Sequence, residues 1–108
     1  MENQTVTEGK TIAIISYITF IGTIIAFIMN NEQKNSFASF HIRQMTGLIS
    51  LQLLSFVVSN YISGTLGWII FLFAVVLWFI GFLGAIQGQE KSVPLLGDQF
   101  QEWFKGIG

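Results

Sequence analysis

Charge is what this chain has least of. Only 10% of its 108 residues are Asp, Glu, Lys or Arg, against about 25% in an ordinary soluble domain. The five basic and six acidic residues leave a net charge of −1, so no basic field is present to hold nucleic acid, and none is expected as a partner. Cysteine is absent, which excludes disulfides, thiolate metal sites and Cys nucleophiles. The one histidine, His41, has no second metal ligand at useful spacing and no nearby carboxylate in sequence to orient it. No Gly-rich phosphate loop follows a strand. These gaps lead us to expect a non-enzymatic protein with no catalytic residues, no metal and no cofactor. The first ten residues carry Glu2 and Glu8 rather than a basic region, and no small-residue cleavage site follows. The first apolar run therefore reads as a retained segment and not a signal peptide.

What the chain has instead is apolar length. Hydrophobic residues make up 52% of it and the mean hydropathy is +0.63. Three stretches, Thr11–Met29, Met45–Ser63 and Leu66–Ile86, contain no Asp, Glu, Lys, Arg or His. Each approaches the roughly 20 residues a helix needs to cross a bilayer. Because an isolated strand would leave its backbone unpaired in lipid, such runs must be helical. The fold expected is an all-α membrane protein: three transmembrane helices and a short C-terminal amphipathic interfacial helix. Residues 1–10 read as a polar tail, 11–88 as the transmembrane domain and 89–108 as the interfacial segment.

Small and polar residues mark where these helices would meet their neighbours. In the first run Ser16, Thr19, Thr23 and Ala26 recur at helical spacing beside Gly22, forming a stripe on which another helix can approach closely. The connector Asn30–Asn35 ends this run, and Ser36 reads as the N-cap of a second helix running to about Tyr61. At 100° per residue, His41, Gln44, Gln52, Ser55 and Ser59 share one stripe of that helix, while Thr46, Gly47 and Ser50 lie opposite below Arg43. Two such faces place it centrally. Gln52 falls near the bilayer midplane, where an amide must face protein or water. In the third run Gly84 and Gly88 form a GxxxG, and Gly81 with Ala85 a second small pair; both read as helix-packing positions, within the bundle or in a homodimer. The tail places Phe100, Trp103 and Phe104 on one face, an anchor for the membrane interface.

Three crossings would put the termini on opposite sides. Lys34, Arg43, Lys91 and Lys105 then share one side and Lys10 the other. The positive-inside bias makes the C-terminus cytoplasmic and the N-terminus external, in what reads as a bacterial cytoplasmic membrane.

The segment Phe37-Ala38-Ser39-Phe40-His41-Ile42-Arg43-Gln44 resembles an F-x-x-x-H-x-R-Q signature of a family of small bacterial membrane proteins of unknown function. That family is itself similar to the Tic-twenty type of chloroplast protein-import component. Val93-Pro94-Leu95-Leu96-Gly97-Asp98, running into Phe100 and Phe104, fits the family's Pro-x-x-Gly ending. The resemblance spans about Lys10 to Lys105. It implies a polytopic helical protein and singles out His41, Arg43, Gln44, Pro94 and Gly97.

From these features we expect an interaction or assembly subunit of a membrane complex, which the resemblance relates to protein translocation, with other membrane subunits or further copies of itself in the lipid bilayer as partners. His41, Arg43 and Gln44 would form its cytoplasmic contact. The alternative is a small homo-oligomeric channel or carrier lined by Gln44, Gln52, Ser55 and Ser59. A third possibility is a lipid-binding protein that reads headgroups through Arg43 and the tail.

Overall fold

A computed structural model describes residues 4–107, and the start of the expected N-terminal tail lies outside them. The described residues form five helices and no strands: α1 (Gln4–Ser16), α2 (Phe20–Gln33), α3 (Ser36–Tyr61), α4 (Gly64–Ile86) and α5 (Gly97–Trp103). The particle measures 46 × 25 × 22 Å. Two of its helices, α3 and α4, are long and apolar enough to cross a membrane.

The main departure from expectation is the first apolar run, which is two helices and not one. Ser16 Oγ turns back to Ala13 O at 2.6 Å, and the Tyr17 and Ile18 amides bond only three residues back, tightening the last turn. Thr19 is then extended (φ −154°, ψ 175°) and caps α2 by accepting from Gly22 N at 3.1 Å. Thr23 Oγ1 closes the turn by donating to Ser16 O at 2.7 Å. The legs run antiparallel. At the open end of this hairpin, Asn35 Nδ2 reaches Thr5 O at 2.8 Å, and Gly9 packs directly under the Asn35 side chain. Gly22 sits on Ile15 O so closely that a Cβ there would collide with it. The small-residue stripe thus joins the two legs of one hairpin. Legs of 13 and 14 residues are about 20 Å long, short of the roughly 30 Å of a hydrocarbon core.

The hairpin returns the chain to the end it left. Three crossings would separate the termini, whereas Thr5 and Ile107 both lie at the end of the bundle where α3 begins and α4 finishes. The expected polar tail over residues 1–10 is helical from Gln4 onward. All five Lys and Arg lie toward this end, Lys10 included, and no charged residue occurs between Arg43 and Glu90.

The central placement of the second helix holds: α3 packs against each of the other four helices. Its N-cap is Asn35 and not Ser36, with Asn35 Oδ1 accepting from Ala38 N at 3.0 Å. At the far end Ser63 caps α4 through Leu66 N, and Gly67 lies against Ser59 where the two helices turn. Helix α4 stops at Ile86, and Gly88 lies beyond it with φ 74°, a left-handed turn suited to glycine. Gly84 and Gly88 are therefore not a pair on one helix. Gly84 lets Lys91 of the returning loop approach, Gly81 lies against the Gln44 amide and Tyr17, and Ala85 is buried. These three positions pack the chain against itself.

Nor does the C-terminal helix present its whole aromatic face outward. Phe100 is buried on Gly47, Phe104 is half-buried, and Trp103 is 64% exposed. Gln101 Nε2 donates to Phe40 O at 2.8 Å, which fastens the helix to α3.

Candidate functional site

The polar stripe of α3 divides into two regions with different surroundings. At the charged end, His41 and Gln44 are fully buried. Gln44 Nε2 donates to Tyr17 Oη at 2.9 Å and to Lys91 O at 3.1 Å, while its Oε1 accepts from Val93 N at 3.0 Å. Tyr17 Oη lies 2.6 Å from His41 Nδ1, and His41 Nε2 lies 2.8 Å from Gln89 O. A carbonyl only accepts, so Nε2 carries the ring proton and Nδ1 accepts from the Tyr17 hydroxyl. The relay therefore runs from the Gln44 amide to the Tyr17 hydroxyl, on to the His41 ring, and ends at the Gln89 carbonyl. Phe37, Phe40 and Tyr17 meet the imidazole edge to face, with centroids 4.8, 5.0 and 5.4 Å away. Trp78 Nε1 adds a bond to Tyr17 O at 2.7 Å, which ties the hairpin turn to the middle of α4.

This cluster joins α1, α3, α4 and the loop after α4. Both amide ends of Gln44 and both ring nitrogens of His41 are used within the chain. Arg43, on the adjoining face, is half-buried and donates from Nε to Ile107 O at 2.8 Å, so the third expected contact residue holds the tail. Among the described residues no group of three His, Asp or Glu side chains is placed to hold a metal ion.

A second buried cluster is absent from the sequence reading. Asn30 donates from Nδ2 to Ser39 Oγ at 2.9 Å and accepts from Asn35 N at 2.8 Å, while Lys34 adopts a left-handed conformation (φ 50°) that ends α2. The two ends of the connector, Asn30 and Asn35, are thus folded inward, while residues 31–34 stay exposed. The cluster's signal was the asparagine at each end of the connector, a residue type whose side chain bonds nearby backbone at turns and caps.

Toward the other end the surroundings change. The hairpin turn stops near the middle of α3 and α4, and below it their shared face is uncovered. This leaves a groove of about 1060 Å³, roofed by Ile18, Thr19 and Phe20 and walled by Leu48, Gln52 and Phe56 of α3 with Trp68, Phe71 and Ala74 of α4. Ser59 also lines it. Ser55 is buried and donates to Gln52 O at 2.7 Å, so its hydroxyl is spent on its own helix. The Gln52 side chain is exposed to the groove, and its amide has no hydrogen-bond partner among the described residues.

No family model, curated protein or solved structure matches this chain.

Proposed function

We propose that this chain is an integral membrane protein with two crossing helices, α3 and α4, and a re-entrant hairpin, α1–α2. It acts without catalysis as an interaction or assembly subunit of a membrane complex. The apolar outer surface supports the membrane setting: Ile24, Ile28, Leu54, Val57, Leu72 and Val76 all face outward, as hydrocarbon contact requires and water does not favour. Tyr61 and Trp68 mark the uncharged end, where an aromatic belt would lie. With every Lys and Arg toward the opposite end, the positive-inside bias makes that end cytoplasmic, both termini included.

One observation carries the assembly reading. Within an apolar groove near mid-membrane, the Gln52 amide has no partner, whereas buried side-chain polar atoms among the described residues are all bonded. An unbonded amide in an apolar medium costs on the order of 1–3 kcal/mol, so the groove is best explained as a docking site whose partner supplies the bond. A role in protein translocation, which the resemblance of Phe37–Gln44 implies, is the finer form of this proposal. The channel or carrier reading has less support: Gln52, Ser55 and Ser59 line the groove, but the Ser55 hydroxyl is spent on Gln52 O, and Gln44 is buried and bonded within the chain.

The test is the size of the native assembly in lipid nanodiscs. The wild type should run above the mass of one chain, and Gln52→Leu should fall toward that mass with its helix content unchanged. A wild type that runs as a single chain would overturn the assembly reading.

A further inference from the structure

We infer that the groove beneath the hairpin is closed by a second copy of this chain, with the two Gln52 amides paired across a twofold axis along the membrane normal. This rests on the reading of the groove as an interaction site and names its occupant.

The amide itself gives the first reason. A primary amide carries both a donor and an acceptor, so two of them related by a twofold axis satisfy each other with a pair of hydrogen bonds. An acyl chain supplies neither group. Depth gives the second reason. All basic residues gather toward one end of the molecule, so two copies insert with the same orientation. Their Gln52 side chains then lie at the same level in the membrane, as twofold pairing requires.

The surroundings of Gln52 have the pattern of a helix–helix seam. Ile49, Gln52, Leu53, Phe56 and Asn60 all line the groove on α3, at the spacings of three and four residues by which neighbouring helices interlock. A single polar residue within such a seam sets register and copy number. No charged side chain occurs between Arg43 and Glu90, so this half of α3 and α4 meets its twin without like-charge repulsion.

The hairpin shapes the pairing. It thickens only the charged half, so two copies touch beneath the hairpin tips and diverge toward the cytoplasmic end. The tilt this needs is ordinary, since membrane helices average about 20° from the normal. Gly67, Gly81, Gly84 and Ala85 of α4, by contrast, are already occupied within the chain, which leaves α3 as the seam.

The test places photoreactive p-benzoylphenylalanine at Phe56 in the full chain, in native membranes. Irradiation should give an adduct of twice the chain mass that yields only this chain's peptides. The same probe at Leu54, which is exposed outside the groove, should give no self-adduct. Adding Gln52→Leu should lower the yield about tenfold, the factor that corresponds to about 1.4 kcal/mol, within the range of hydrogen bonds between membrane helices. Gln52→Asn, which keeps an amide, should retain an intermediate yield and so separate lost pairing from lost folding. A self-adduct indifferent to Gln52→Leu would overturn the amide pairing. An adduct to a different polypeptide alone would overturn the second copy but leave the interaction reading standing. Adducts to lipid alone would overturn both.

Discussion

The two halves of this molecule handle polar groups in opposite ways. In the charged half, Tyr17, Asn30, Ser39, His41 and Gln44 are buried and bonded. They knit the hairpin, α3 and the loop after α4 into one body. In the other half, α3 and α4 stand alone, and Gln52 faces an open groove with its amide unpaired. Side chains from a single helical stripe therefore serve different ends. Those with chain folded over them act as internal fasteners, and beyond the hairpin tip the Gln52 amide is left for another molecule.

Substitutions should break this contrast unequally. The largest effect is expected from Gln44→Leu, which removes three hydrogen bonds and strands Val93 N and Lys91 O in the interior. At about 1–3 kcal/mol per orphaned group, the loss should reach roughly 3–5 kcal/mol, read by reversible unfolding in mixed micelles. Gly22→Leu comes next. Its side chain must displace Ile15 O, forcing the hairpin legs apart at a cost of about 2–4 kcal/mol, and the same unfolding assay should register it. Asn35→Ala removes the α3 cap and the bond to Thr5 O, for about 1–2 kcal/mol. Hydrogen exchange should show it as faster opening at the start of α3. Gln52→Leu should shift unfolding by no more than about 0.5 kcal/mol, although it is the substitution expected to disrupt assembly. A large stability loss from Gln52→Leu would erase the distinction between the two halves.

Part of this organisation can be read from sequence, and the failures have physical causes. The long helices follow from hydropathy alone: α3 ends at Tyr61 as expected, and α4 contains the whole of Leu66–Ile86. The stripe of Ser16, Thr19, Gly22, Thr23 and Ala26 is a genuine packing surface, but its partner is the other leg of the same run. The break at residues 17–19 is hidden because Ser16 and Thr19 make the turn by side-chain hydrogen bonds, with no Pro, Gly or Asn to interrupt the hydropathy. Once that turn is missed, the termini separate and Lys10 moves to the wrong end. His41 and Gln44 do share a face with Gln52, yet helical periodicity carries no information about the loop at Gln89–Val93 that returns to cover them. Gly88 fails for a related reason: a GxxxG has meaning only while the helix continues, and α4 stops at Ile86.

The most direct measurement is the sidedness of the two ends of the chain. The natural sequence has no cysteine, so Gln4→Cys, Lys105→Cys and Tyr61→Cys each supply a single thiol for a membrane-impermeant reagent on sealed vesicles. A re-entrant hairpin requires Gln4→Cys and Lys105→Cys to label from the same face, and Tyr61→Cys from the other. Labelling of Gln4→Cys and Lys105→Cys from opposite faces would mean that Thr11–Met29 crosses the membrane, which would contradict the hairpin and the groove beneath it.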